Sequence, residues 1–352
     1  MKLKDAVYKA THWESWHYHI KYIPLLPVWL WYCLRSRSFW FFTSANPTLT
    51  FGGMEGETKE EMYTQLPPGT FPNSIFVNPG EHLNVVLEKM KTAGIDFPCA
   101  VKPNVGMMGY LFRKISCEKD LTKYHQKVPV RYVVQQLVNF PMEVSVFYYR
   151  FPGELKGRIS GFLSKECPQV YGDGVSTLSQ LIDAHKGVRF RREEMMRKHE
   201  AKLANIIPRG ECYALSDASN RSQGGKLVGL EHEIDETLLN LFDKISHYNG
   251  KFFYGRYDVK CTSVNDLKAG RNFSILEYNG SGSGTQHVYG NGYTLFQASK
   301  IILHHWKMLF AISRENVRKG DKPWSFMKGL KFLFAAKKNL GVLKKLDGEL
   351  VL

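Results

Sequence analysis

Two short stretches constrain this chain more than any other part of it: Gly255-Arg256-Tyr257-Asp258-Val259-Lys260 and Ile275-Leu276-Glu277-Tyr278-Asn279-Gly280. Each reads as a strand, with apolar residues interleaved among polar ones and with bounding glycines; the turn cluster around Asn265 and Asp266 separates them. Arg256 and Asp258 lie two apart, as do Glu277 and Asn279, and residues two apart in a strand share a face. If the strands pair, an aspartate, a glutamate and an asparagine converge beside an arginine. Such oxygen donors suit a hard cation like Mg²⁺, which takes a few protein ligands and leaves the rest to water and phosphate. A solvated hairpin face would carry the same spacing, so the remainder of the chain has to decide.

The 352 residues suffice for two or three packed units, and an apolar share of 43% is ordinary for a folded protein. Cys33, Cys99, Cys117, Cys167, Cys212 and Cys261 are scattered without CxxC spacing and without a secretory signal ahead of them. A reduced protein is expected, in the cytoplasm or at the inner face of its membrane. The net charge of +15 concentrates in residues 314–345 and 186–202. It favours anionic partners such as nucleotide phosphate or anionic lipid. A nucleic-acid role would rest on charge alone and is not expected.

Residues 1–50 form an aromatic-rich arm containing Trp13, Trp16, Tyr22, Trp29, Trp31, Tyr32 and Phe39 to Phe42. The apolar run 23–34 is shorter than the roughly twenty residues of a spanning helix and holds Pro24 and Pro27. With Lys21, Arg35 and Arg37 it would suit a helix lying in a membrane interface. It would equally suit an arm packed on the body, or a homodimer contact. Further on, strands are read at 74–77, 97–101, 110–115, 131–137, 142–149 and 157–163. Helices are read from 57, at 81–93, 191–203, 234–248 and 293–312, with a lysine-rich amphipathic tail at 324–346. Strands and helices without regular alternation predict an α+β fold.

Lys102 ends an apolar strand just before the turn Gly106-Met107-Met108-Gly109. There a lysine can reach phosphate oxygens, and glycines let backbone N–H groups approach them. The spacing matches neither a P-loop nor a dinucleotide fingerprint. Taken in order over residues 55–290, however, these features resemble the ATP-grasp superfamily of carboxylate–amine ligases. Lys102 and the glycine turn look like its phosphate-covering loop, and Lys59 falls where the family keeps an earlier ATP lysine. Gln135, Gln136, Leu137 and Val138, then Glu143, look like the hinge that holds adenine and ribose, although the family usually has an acid at the Gln136 position. Arg256, Asp258, Glu277 and Asn279 match its phosphate and Mg²⁺ cluster, with a longer loop between the strands. Residues 170–178 and 216–225 are similar to the amino-acid ligase branch of cyanophycin synthetase and bifunctional glutathione synthetase; D-alanine–D-alanine ligase is more distant.

The resemblance implies two α+β lobes clamping ATP. It divides the chain into the arm 1–50, a shortened N-terminal unit 51–95, a small lobe 96–137, a large lobe 138–312 and a basic tail 313–352. It implies ATP and two Mg²⁺ ions as cofactors, and an acyl-phosphate intermediate attacked by an amine. Lys165 would contact phosphate, and Arg256 would stabilise developing negative charge. Asp258, Glu277 and Asn279 would hold metal. Asn220, Ser281, Gly282, Ser283 and His287 would touch substrate. Two alternatives stay open: a membrane-associated version acting on a lipid or lipid-linked amine, and a non-catalytic nucleotide-binding protein on the same fold.

Overall fold

The computed structural model describes residues 7–8, 10–106, 109–216, 219 and 224–350. The arm forms α1 (Tyr18–Tyr22) and α2 (Leu26–Ser36), with Pro27 in the first turn of α2, where its missing N–H is no loss. A capping box between Thr58 and Glu61 starts α3 (Lys59–Tyr63). There follow β1 (Ser74–Val77), α4 (Leu83–Thr92), β2 (Cys99–Pro103), β3 (Arg113–Ile115), α5 (Glu118–Lys127) and β4 (Tyr132–Gln136). Next come β5 (Met142–Tyr149), β6 (Arg158–Glu166), β7 (Gln169–Tyr171), α6 (Leu178–Ala184), α7 (Arg192–Lys198), β8 (Cys212–Ala214) and β9 (Lys226–Gly229). The rest is α8 (Glu236–His247), β10 (Tyr254–Cys261), α9 (Val264–Lys268), β11 (Phe273–Asn279), α10 (Leu295–Arg318) and α11 (Phe326–Glu349).

The fold is α+β, with two large antiparallel sheets and a two-stranded one among the described residues. The first runs β1-β4-β2-β3, taking β1 from the segment assigned above to 51–95 and the other strands from 96–137. Its core includes Val77, Val86, Tyr124, Tyr132 and Val134, closed by Leu343 from α11. The second sheet runs β11-β10-β5-β6-β9. Alternation divides its residues: Val144, Val146, Tyr148, Tyr257, Val259 and Tyr278 pack on Leu238, Phe242 and Ile245 of α8. The alternate positions, Glu143 and Ser145 on β5, Arg256 and Asp258 on β10, and Glu277 and Asn279 on β11, therefore face away from that core. β7 and β8 pair separately and share a small core with α6 and α7.

One strand differs from the sequence reading. The strand expected at 110–115 shrinks to Arg113–Ile115, because Leu111 has φ +57° and donates its N–H to Asp347 Oδ1 at 2.8 Å rather than to the sheet. The basic tail is docked. Gly329 lies against Trp40, so close that a Cβ there would meet the indole at 2.4 Å. At its far end Asp347 pairs with Arg113 at 2.8 Å. The inner side of the arm packs on α10, through Trp29 on Trp306 at 5.1 Å and Tyr32 on Phe310 at 4.5 Å between ring centroids.

Candidate functional site

On the outward face of the large sheet, Arg256 lies across from Asn279 and Asp258 across from Glu277. Asp258 is the hub. It accepts from Arg256 Nε at 2.9 Å and Nη2 at 3.0 Å, from Ser145 Oγ at 2.5 Å and from Asn279 Nδ2 at 3.2 Å. Lys165 Nζ, two strands away on β6, reaches it at 3.0 Å and Glu143 at 3.1 Å. Burial opposes charge on Asp258, but Arg256 and Lys165 outweigh it and hold the carboxyl well below the usual range. Burial likewise works against the charge of Lys165, and Asp258 and Glu143 overcome it, leaving that lysine raised.

The register slips by one residue between Asp258 and Val259, leaving Leu276 as the extra residue of a bulge. The Leu276 carbonyl accepts from Tyr63 Oη at 2.7 Å and from Lys102 Nζ at 3.5 Å. Tyr63 also receives Gln135 Nε2 at 2.8 Å and lies 3.4 Å from Lys102 Nζ. Lys59, the first residue of α3, stands 3.8 Å from Glu277. Lys59 and Lys102 thus meet the carboxylate face of the large sheet edge to edge. Burial lowers both lysines, and Glu277 only partly restores their charged form. An incoming polyphosphate would supply the missing negative charge.

Other sequence-predicted residues are placed as follows. Gln135 is committed to the fold, with its side chain on Tyr63 and Ser74 and its backbone in the central strand β4. Gln136 is exposed at the end of β4, and the Val138 carbonyl accepts from Lys260 at 3.1 Å, with Leu137 between them. Glu143 uses both oxygens, one on Lys165 and the other on Ser219 at 2.7 Å. Gly109 has φ +77°, and Gly106 rests against Pro103. Met107, Met108 and Asn220 lie outside the described residues.

The turn after β11 leans on the end of the arm and on the Gly52-Gly53 turn that follows it. Ser281 and Gly282 donate their N–H groups to Gly52 and Gly53 at 3.0 and 2.8 Å, and a Cβ on Gly280 would sit 2.7 Å from the Gly52 oxygen. The Ser281 and Ser283 hydroxyls are spent on the Phe42 and Gly280 carbonyls. His287 is buried beneath this turn on Gly161, with its Nε2 unpartnered. Burial, reinforced by Arg256, lowers it to about 4, so it is neutral.

Three residues of the site escaped the sequence reading. Ser145 sits inside a run of strand residues, and Tyr63 inside a short helix. Either could have been found by asking what shares a face with Glu143 or follows Lys59 by one turn. The third is Glu57, whose Oε2 is buried without a hydrogen-bond partner. Burial pushes its carboxyl up to about 7, with Glu277 adding to the shift. In the unfolded chain it titrates near about 4.3. Between those values the folded state alone holds the proton, so stability falls as pH rises, and a constant penalty remains above about 7. Glu57→Gln is therefore expected to be neutral near pH 4 and stabilising above pH 7, by roughly 3 kcal/mol at most. Urea titrations of the nucleotide-free protein across that range check this; a gain independent of pH would contradict it.

No group of three or more His, Cys, Asp or Glu side chains suited to a metal ion occurs among the described residues. The donor set here is two carboxylates and an amide on adjacent strands, which fits a hard cation that completes its shell with phosphate oxygens. Glu277 is the member with its carboxylate least engaged, its side chain being 40% exposed.

No family model matches the chain, and no curated protein matches it by sequence. Solved structures resemble it at low identity. A bifunctional glutathione synthetase from Pasteurella multocida is 15% identical with a TM-score of 0.40, the match covering 69% of this chain and 34% of that one. A D-alanine–D-alanine ligase from Bacillus anthracis complexed with ATP is 15% identical with a TM-score of 0.42, over 74% of this chain and 65% of that one. The ATP-grasp ligase PsnB, complexed with a minimal precursor, Mg and ADP, is 15% identical with a TM-score of 0.38, over 71% and 59%. The chain thus spans about a third of the first and less than two thirds of the other two. Likeness at this level leaves the chemistry to the chain's own residues.

Proposed function

We propose that the chain is an ATP-grasp ligase, joining a carboxylate to an amine with cleavage of ATP to ADP and phosphate. The observation that carries this reading is the meeting of Lys59, from α3, and Lys102, from the small sheet, with the edge of the large sheet at Leu276 and Glu277, beside the cluster of Asp258, Arg256 and Lys165. A carboxylate is a poor acylating agent because its leaving group would be oxide. Phosphorylation gives it a competent leaving group, and the protein's task is to hold charged oxygens still. Lys59 and Lys102 would grip phosphate oxygens from the small-sheet side, and Lys165 would meet them from β6, beside Asp258. Arg256, fixed by its fork on Asp258, presents Nη1 toward the turn at Gly284, 3.2 Å away, where it can stabilise charge developing on the acyl group. Gln136, Leu137 and Val138 would hold adenine by their backbone, and Glu143 would take a ribose hydroxyl in place of Ser219. Asp258, Glu277 and Asn279 would hold Mg²⁺, which when bound neutralises phosphate charge. No side-chain nucleophile is required. The domain division proposed with it is a small lobe completed by β1, a large lobe, and arm and tail packed around them.

A screen for ADP release against amino acids, dipeptides and amino-lipids, with matched carboxylates, tests the reading. Lys102→Ala is expected to lower release by about ten- to a hundredfold. Release that persists undiminished in that variant would remove Lys102 from the site; no release from the wild type with any pool would favour a nucleotide-binding protein without catalysis.

A further inference from the structure

A cavity of about 520 Å³ lies beside the turn at residues 281–285, walled by Tyr22, Ile23, Leu26 and Trp29 of the arm and by Ile302 and Trp306 of α10. Gly284, in its wall, is the residue whose carbonyl holds Arg256. Apart from histidines the cavity has no titratable lining but Tyr22 and Tyr254, and His305 at its floor is buried and uncharged. An uncharged, apolar group fits it.

Its mouth opens on an unusual surface. Ile23 and Leu26 line the cavity and are nonetheless 61% and 44% exposed. They belong to a row of exposed apolar side chains, with Ile20 before them and Leu30 and Leu34 after, spaced at three and four residues along α1 and α2. Phe39 continues the row and meets Phe326 of α11 at 5.6 Å, both more than half exposed. The exposed charges in the two segments that carry this row have one sign. From Ser15 to Met54 the sequence has no acidic residue, and Arg35 and Arg37 are exposed beside the row, whereas Lys21 is buried. From Lys322 to Lys331, the stretch of the tail that meets Phe39 and Trp40, it has three exposed lysines and again no acid. A contiguous exposed apolar face rimmed by cations fits an interface with anionic lipid, apolar side chains among acyl chains and cations among headgroups. No helix among the described residues is long and apolar enough to cross a membrane, so this face would lie on a bilayer rather than span it.

We propose that the outer face of α1 and α2 docks on an anionic lipid bilayer, and that the cavity behind it takes the apolar tail of a bilayer-borne substrate. The reactive carboxylate or amine of that substrate would then reach the Arg256 end of the cavity; this part rests on the ligase reading, whereas the docking does not.

The docking is tested by sedimenting the full chain with vesicles of phosphatidylglycerol and phosphatidylcholine, or of phosphatidylcholine alone, at low and high salt. Binding is expected to the anionic vesicles, weakened by salt, and weakened about tenfold or more by Leu30→Glu or Leu34→Glu. Those side chains point outward, so circular dichroism should be unchanged. Lys102→Ala should sediment like the wild type, which keeps failure of the ligase reading separate from failure of docking. Absence of sedimentation at low salt, or sedimentation indifferent to both glutamate substitutions, would overturn the proposal. So would a lipid-independent dimer that Leu30→Glu dissociates, since a second copy would then be the occupant. For the cavity, dodecylamine and dodecanoate serve as probes in calorimetry. One of them is expected to bind, and Ile302→Trp to weaken it about tenfold while leaving vesicle binding intact. Failure of both probes, or binding unaffected by Ile302→Trp, would refute the cavity's role.

Discussion

Replacing Glu277 by glutamine is expected to lower ATP-dependent ADP release on the order of 10³-fold, several kcal/mol of transition-state stabilisation, while hardly changing thermal unfolding. The two halves of this result have separate causes. Glu277 is 40% exposed in its side chain, and its ion pair to Lys59 is long, at 3.8 Å. Such a partly solvated pair contributes about 0–1 kcal/mol, so the folded state loses little. The same exposure leaves the carboxylate available to a cation and a polyphosphate, for which glutamine is a neutral and weaker partner. Glutamine keeps the size of the side chain, so the cleft is not reshaped. The check is ADP release at saturating ATP over a Mg²⁺ titration, alongside a melting curve. Full activity in the variant would remove Glu277 from the metal set; a large drop in melting temperature would show that its role is structural.

The strand face that carries Arg256, Asp258, Glu277 and Asn279 is legible from alternation alone. Arg256 and Asp258, and Glu277 and Asn279, share a face in any regular strand, and antiparallel pairing then places them opposite one another. The bulge at Leu276 was not legible, since one extra residue leaves no trace in a period of two. It falls just before Glu277; one residue later it would have sent Glu277 and Asn279 to opposite faces. The ion pair of Lys165 with Asp258 depends on β5 lying between their strands, a register set by residues far apart in the chain. Helical spacing marked the tail as amphipathic but could not say what it covers. Its docking depends on Gly329 meeting Trp40 and Asp347 meeting Arg113, contacts between distant parts of the chain. In the arm, composition concealed a division. Trp29, Tyr32 and Cys33 turn inward while Leu26, Leu30 and Leu34 turn outward, and both sides are apolar. Hydrophobicity alone therefore could not separate an arm packed on the body from a surface that binds something else.

Asp258→Asn, in contrast to the change at Glu277, is expected to destabilise the fold by about 3–5 kcal/mol. The buried cluster around it holds two acids, Asp258 and Glu143, against two bases, Arg256 and Lys165, and is balanced. Asparagine preserves shape and one acceptor but leaves an unmatched positive charge between Arg256 and Lys165, whose side chains are only 10% and 4% exposed. The charge balance gives the prediction its sign. Adding Lys165→Met removes the surplus cation and leaves the charge of Arg256 balanced by that of Glu143, so the double variant should be more stable than Asp258→Asn alone, even though Lys165→Met by itself destabilises. A double-mutant cycle in urea is expected to show a compensating coupling of about 1–3 kcal/mol. Additive losses would mean that the two sites do not share one charge balance, and that Asp258 is held by its hydrogen bonds from Ser145 and Asn279 rather than by the paired cations.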